Sequence, residues 1–410
     1  MPKIQLLSES ESEILLKYKD SDIYDADLEL KAIPAKRRLV ISNQIQGRQM
    51  LRKKVKSWAA IADDVANFTK LLLPAKLPFE QCSSEQTARY KAKLVEGELL
   101  VDLTGGLGVD FAFMSTKFQK AIYVEQNKDL VAYAENNLPI FGVKNATYVC
   151  DDAINYLKNM TEHASVIYID PARRTSEGEK AVQLADCQPN LEDLEALLLE
   201  HADMVVAKLS PMLDISKALK TLKSVCEIHI VSVDNECKEL LLVMRKERQQ
   251  TEIKTYNIHH DREEHFDFTP SEELMAVCKY AYAPRMYLYE PNSSILKSGG
   301  FKIIADRYRL VKLHVNSHLY TSDDEVEDFP GRSFEVMAWS GFARNDLASV
   351  LRGIKQANIA VRNFPMSPEK LRAKLKLKEG GKDYFFASTL ADGKKVLLRC
   401  RKIGHQNTKK

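Results

Sequence analysis

The chain has 410 residues, 45% hydrophobic and 29% charged, with a formal net charge of +3, which is too long for one ordinary domain and too apolar for disorder. No run approaches 18 apolar residues, and the first twenty residues carry acids where a secretory leader needs bases followed by an apolar stretch; two to four folded units in a soluble, cytoplasmic protein are expected. Seven cysteines are scattered and never spaced Cys-x-x-Cys, which argues against a disulfide framework or a zinc site.

Residues 1–95 read as helical. "SESEILLKYKDSD" and "WAAIADDVANFTKLLLP" place apolar residues at steps of three and four. In "CSSEQTARYKAKLV", Ser83 or Ser84 is the expected N-cap of a helix leading into a glycine-rich loop. From 96 to about 250 the pattern changes to short runs rich in Val, Ile and Tyr that alternate with helical segments. They are "ELLVDL", "KAIYVE", "ATYVCD", "SVIYID", "DMVVAKL", "CEIHIVSV" and "ELLLVMRK". Such alternation predicts a mostly parallel sheet covered on both faces. Only "DNECK" separates the last two runs, too little for a crossover helix, so the final strand is expected to return antiparallel. The fold class is therefore α/β: a seven-stranded Rossmann-like sheet, an N-terminal helical region and small α+β C-terminal domains. A charged stretch from "KERQQ" to "PSEE" reads as a linker, followed by a small domain at 275–320 and another at 330–402. In the last of these, Ser367 and Pro368 should open a helix, and Asp392–Gly393 should turn a hairpin.

Charge is unevenly spread. Residues 331–410 hold 18 Lys and Arg against 6 Asp and Glu, a formal +12, so the other 330 residues sum to −9. A basic domain attached to an acidic chain points to a polyanion such as RNA, bound through residues 331–410.

The strand "LLVDL" ends at Asp102, and "TGGLG" turns into a helix. Gly106 and Gly108 let the backbone approach a ligand at the carboxyl edge of the sheet. The loop carries no cation and lacks Gly-Lys-Ser/Thr, which excludes a Walker phosphate cradle. Glu125 follows the second strand, where a carboxylate can accept both hydroxyls of a ribose; Asp151 and Asp152 follow the third, where an acid can meet an adenine amino group; Asp170 follows the fourth. Acids at four successive strand ends suit a cationic sulfonium better than a pyrophosphate. The expected cofactor is S-adenosylmethionine, held by Asp102, Thr104, Gly106, Gly108, Glu125, Asp151 and Asp152, with no metal.

The run 82–190 resembles class I S-adenosylmethionine-dependent methyltransferases, and among them RNA enzymes such as the trimethylguanosine synthases, on the strength of "CSSEQTARYKAKLVEGELLVDLTGGLGVD". The segment "NFPMSPEKLRAKLKLKEGGKDYFFASTLADGKKVLLRCRK" resembles the C-terminal THUMP-like domain of a bacterial group of these enzymes, which also carry a small ferredoxin-like segment before it. The resemblance spans about 82–402 and implies methyl transfer to RNA. Two positions depart from the family pattern: Thr104 replaces the usual first loop glycine, and Asp170-Pro171-Ala172-Arg173 replaces an acid or amide, two prolines and an aromatic ring.

Methyl transfer from a sulfonium is an in-line displacement, so the protein contributes alignment and hydrogen-bond acceptance. With an exocyclic amine as acceptor, Asp170 and the Pro171 carbonyl take its two hydrogens, and Arg173 stacks on the base or holds a phosphate. Lys208 and Ser210, in "AKLSPM" at the end of the fifth run, are open to a substrate-side role. The alternatives are a protein or small-molecule methyltransferase and a cofactor-binding RNA-binding protein without turnover. The sequence leaves the oligomeric state open.

Overall fold

The computed structural model describes residues 7–21, 30–31, 33–173, 184–247, 250–260 and 262–404. The chain divides into two compact units, Met1–Glu227 with Lys238–Gln249, and Ile228–Cys237 with Gln250–Lys410.

The first unit opens with helices α1 (Glu9–Tyr18), α2 (Ala35–Lys54), α3 (Lys56–Asp63), α4 (Val65–Phe68), α5 (Lys76–Gln81) and α6 (Glu85–Leu94). Of the two candidate caps for α6, Ser84 performs the role, accepting from the Thr87 N–H at 3.3 Å. Ser83 is buried and turns inward to Asp110.

Then β1 (Gly97–Asp102), α7 (Val109–Ser115), β2 (Phe118–Glu125), α8 (Lys128–Asn137), β3 (Ala146–Cys150), α9 (Ala153–Asn159) and β4 (Ala164–Ile169) alternate. A two-residue ladder, β5 (Ala172–Arg173) with β6 (Cys187–Gln188), precedes α10 (Leu191–His201), β7 (Ala202–Leu209) and α11 (Ile215–Thr221). The strands stand in the order β3-β2-β1-β4-β7-β9, where β9 is Glu236–Met244, and all are parallel except β9, which runs antiparallel to β7. The remaining strand of the expected seven, β8 (Val225–Val233), starts in this unit and passes into the second at Ile228. Asp234 and Asn235 join β8 to β9 with φ of 50° and 65°. Two successive left-handed residues make the tight turn whose twist matches an antiparallel pair.

This sheet is buried on both faces. Leu100, Val101, Ala121, Val124, Ile167, Ile169, Val205 and Val206 are all inaccessible to solvent, which explains why its strands read as continuous apolar runs. Its register lines up the carboxyl ends: Asp102 pairs with Tyr123 and Tyr168, Glu125 with Cys150, and Ile169 with Ala207. The helices that follow open with side-chain caps, Asn127 for α8, Asp152 for α9 and Asp214 for α11.

In the second unit the stretch expected to be a linker is an antiparallel hairpin, β10 (Glu252–Ile258) with β11 (Glu263–Phe268). Ile253, Thr255 and Asn257 on β10 and Phe266 and Phe268 on β11 are buried. Their strand-like alternation is masked by the charged residues between them. Next come α12 (Pro270–Met275), β12 (Lys279–Tyr280), β13 (Tyr287–Pro291), α13 (Ser293–Ser298), α14 (Ile303–Arg307), β14 (Val311–Lys312) and β15 (Tyr320–Ser322). The chain ends with β16 (Gly331–Ser340), α15 (Arg344–Leu351), β17 (Asn358–Val361), α16 (Pro368–Leu375), β18 (Asp383–Thr389) and β19 (Lys395–Lys402). Strands β12 to β19 make one sheet in the order β12-β14-β15-β13-β16-β19-β18-β17. Alternate residues feed two cores: Phe386 and Leu398 enter one, Phe385 and Leu397 the other. Ser367 caps α16 with Pro368 in its first turn.

Candidate active site at the carboxyl edge of the parallel sheet

The glycine loop is pinned from three directions. The Gly105 N–H donates to the Val124 carbonyl at 2.9 Å, the Gly106 N–H to Glu125 Oε2 at 2.9 Å, and the Tyr123 hydroxyl to the Gly106 carbonyl at 2.5 Å. Gly106 and Gly108 have φ of 55° and 80°, the left-handed region that glycine adopts without strain. Gly105 matters for a different reason that the sequence did not disclose: a Cβ there would lie 2.1 Å from the Tyr123 ring. A Cβ on Gly106 would meet nothing nearer than the Thr104 carbonyl at 3.7 Å, so the space over that residue is open.

Asp102, only 1% exposed, accepts from the Thr104 N–H at 2.9 Å. Burial, reinforced by the carboxylates of Asp110, Asp170 and Glu125, holds its carboxyl well above the ordinary value despite that hydrogen bond. Thr104 Oγ1 accepts from the Asp170 N–H at 2.7 Å and so links the loop to the end of β4. Glu125 is oriented at both oxygens, Oε2 by Gly106 and Oε1 by the Asn127 N–H at 2.8 Å. The Glu125 carbonyl accepts from the Asp151 N–H at 3.2 Å, and Asn155 Nδ2 donates to both Asp151 oxygens at 2.9 Å. Asp152 Oδ1 is spent on capping α9, accepting from the Ile154 and Asn155 N–H groups at 3.0 and 3.1 Å.

The structure thus brings Asp102, Thr104, Gly106, Glu125 and Asp170 into one connected set, attaches Asp151 to it through Glu125, and commits one oxygen of the exposed Asp152 carboxylate to its own helix. Gly108 caps α7 and abuts Leu138. Pro171 is buried, and Arg173 is placed by its backbone in β5 opposite Cys187. The Arg173 side chain, Arg174 and residues to 183 lie outside the described residues.

Behind these groups stands a buried charge cluster that sequence reasoning missed almost entirely. Lys91 on α6, fully buried, sits 2.7 Å from both oxygens of Glu239 on β9 and 3.1 Å from Asp110 Oδ1 on α7. Asp110 Oδ2 accepts from the Ser83 and Tyr168 hydroxyls at 2.7 and 2.8 Å and lies 3.5 Å from Lys208 Nζ. Lys208 Nζ is 2.5 Å from Asp170 Oδ2 and donates to Ser83 Oγ at 3.2 Å. Burial alone would raise the Asp110 carboxyl, but Lys91 and Lys208, with the hydroxyls of Ser83 and Tyr168, bring it down to about 2. The only sequence signal for this cluster was the position of Lys208 at a strand end. Lys91, Asp110 and Glu239 look like ordinary helix and strand-edge charges, and 148 positions separate the first from the last.

A parallel sheet in this strand order with an antiparallel final strand, and an acid-lined glycine loop at its carboxyl edge, define the class I methyltransferase domain. Residues 287–330 match a ferredoxin-like domain family and residues 331–402 a THUMP domain-like family. A candidate methyltransferase of Porphyromonas gingivalis W83, known from its crystal structure, is 35% identical, covers 98% of this chain and 100% of its own, and superposes with a TM-score of 0.87. An uncharacterised S-adenosylmethionine-dependent methyltransferase of Mycobacterium tuberculosis is 26% identical over 301 residues, 73% of this chain and 79% of that protein. A shorter match, 30% identical over 101 residues, links 24% of the chain to 23% of an uncharacterised RNA methyltransferase of Thermotoga maritima. The chain belongs to the family of class I methyltransferases that carry a ferredoxin-like and a THUMP-like domain.

Proposed function

We propose that the protein transfers a methyl group from S-adenosylmethionine to RNA, at an exocyclic amine of a base. The observation that carries this reading is the connected set Asp102–Thr104–Glu125–Asp170 around a loop free of cations. Glu125, held by two N–H groups, puts a carboxylate beside the open face of Gly106, which favours ribose hydroxyls and disfavours a phosphate. The cofactor, when bound, supplies an electrophilic methyl group on a sulfonium. Glu125, held at both oxygens, presents its remaining lone pairs to the ribose hydroxyls; Asp151 serves the adenine side; the Thr104 hydroxyl and open Gly106 face the amino-acid portion. Asp170 and the Pro171 carbonyl accept the two hydrogens of the target amine and so turn its lone pair toward the methyl. The charge of 331–410 and the match to an RNA-methyltransferase relative favour RNA as substrate.

The test is to incubate the protein with methyl-labelled S-adenosylmethionine and, separately, total RNA, protein extract and small metabolites. Label in the RNA fraction alone is the expected result. Label confined to protein or metabolites would refute the substrate assignment, and cofactor binding without label anywhere would favour a binding protein.

A further inference from the structure

We infer that Lys208 is a positioning residue for methyl transfer: its ammonium, anchored from behind by Asp110, holds Oδ2 of Asp170 and leaves Oδ1 to the acceptor. This rests on the reading of Asp170 as the acceptor's partner and goes beyond it, because it explains how one carboxylate at a strand end keeps a single orientation. Asp170 is 34% exposed at its side chain and follows the last residue of β4, so no helix or strand hydrogen bond confines its carboxylate. The contact of 2.5 Å to Lys208, itself 13% exposed, supplies that restraint. Among the described residues no partner is shown for Asp170 Oδ1.

The lysine is in turn held by groups from several elements. Ser83 comes from the turn before α6, Asp110 from α7, Tyr168 from β4 through Asp110, and Lys91 of α6 and Glu239 of β9 stand behind. Burial would push the Lys208 ammonium toward its neutral form, but Asp170, Asp110 and Glu239 together outweigh burial and raise it, so the lysine donates and does not act as a base. Three carboxylates in contact around two ammonium groups also explain why a lysine can be buried here at all. The consequence is chemical. With Oδ2 held by the Lys208 ammonium, Oδ1 is a hydrogen-bond acceptor fixed in place, which suits a neutral exocyclic amine: the nitrogen–carbon bond forms as the carbon–sulfur bond breaks, S-adenosylhomocysteine leaves, and the proton of the methylated nitrogen passes to solvent.

The experiment uses the full-length protein, its K208M and K208R variants, and each combined with D170N. With RNA as acceptor, K208M should lower kcat about 100-fold, the scale of a reacting group misplaced by about 1 Å, while KM for RNA and the dissociation constant of S-adenosylhomocysteine stay within about twofold. K208R, which keeps the charge, should recover about a tenth or more of the activity. In the D170N background K208M should cost less than about threefold, since both changes remove one device. Crystal structures of the wild type and K208M with S-adenosylhomocysteine should show the Asp170 carboxylate fixed in the first and rotated in the second. If K208M does not fold, K208Q, which also removes the charge but keeps a polar end, takes its place and is read by the same criteria. Unchanged kcat in K208M, an undiminished loss in the D170N background, or an unmoved Asp170 would overturn the inference. Should the wild type label no RNA while Asp170 rotates in K208M, the substrate reading fails and the tether stands.

Discussion

Gly105→Ala offers a sharp test of how the cofactor loop is built. The new Cβ would sit 2.1 Å from Tyr123 Cε2 and 2.5 Å from Cδ2 and Cζ, whereas carbon atoms in contact need about 3.5 Å. Something must therefore retreat by more than about 1 Å. Neither side has slack. The loop is tied to β2 by the Gly105–Val124 hydrogen bond, and the Tyr123 ring, fully buried, packs edge-on against Phe111 at 5.5 Å and against Tyr148 at 5.8 Å. Overpacking of this kind costs about 1–3 kcal/mol, and displacing the ring also breaks its hydroxyl bond to the Gly106 carbonyl, about 1–3 kcal/mol more if that group stays buried. We expect urea unfolding at 25 °C to report a loss of about 2–6 kcal/mol. Gly106→Ala is the control: its Cβ has room, so only the left-handed φ is penalised, by about 1–2 kcal/mol, but the methyl occupies the proposed ligand space. Calorimetry should show that G106A loses S-adenosylhomocysteine affinity more than it loses stability. The reasoning is refuted if G105A is as stable as the wild type, or if G106A is the less stable of the two.

Three further outcomes are expected. Glu125→Ala should weaken S-adenosylhomocysteine binding by about 2–4 kcal/mol, measured by calorimetry; unchanged affinity would remove Glu125 from the ribose site. Asp102→Asn should stabilise the protein at pH 8, because a buried carboxyl raised above its unfolded value destabilises the fold wherever the unfolded chain ionises it, and the gain should vanish below about pH 4, where both states are protonated. Urea titrations at several pH values check the sign, and a stability that falls at pH 8 would contradict it. Replacing Lys374, Lys376 and Lys378 by Glu should weaken RNA binding and flatten its log–log salt slope by about two to three, with cofactor affinity unchanged; an unaltered slope would move the RNA face elsewhere. These three are exposed, whereas Arg372 is committed to the Ala357 carbonyl at 3.1 Å. Deleting 331–410 is the poorer experiment, because β16, β18 and β19 share one sheet with β13.

The parallel sheet was legible because its strands are buried on both faces and so appear as uninterrupted apolar runs, and because only Asp234 and Asn235 separate β8 from β9. The β10–β11 hairpin was not, since Lys254, Glu263 and Glu264 mask the alternation of Ile253, Thr255, Phe266 and Phe268. The glycine loop announced itself through composition, but the need for Gly105 depends on where the Tyr123 ring lies, a tertiary fact. Lys91, Asp110 and Glu239 were invisible for the same reason: a charge looks solvated in sequence until its partners, brought from another helix and from the last strand, are known. Asp152 shows the converse, a carboxylate at a strand end that serves as a helix cap through one of its oxygens.

The most direct measurement is nucleoside-resolved methyl transfer: total RNA is treated with methyl-labelled S-adenosylmethionine and wild-type protein or its Asp170→Ala variant, then digested and separated by chromatography and mass. The account predicts one labelled nucleoside, methylated on an exocyclic nitrogen, formed by the wild type and reduced at least about 100-fold in the variant while S-adenosylhomocysteine binds both alike. Label on a ring carbon or ribose oxygen, or equal labelling by the variant, would contradict it.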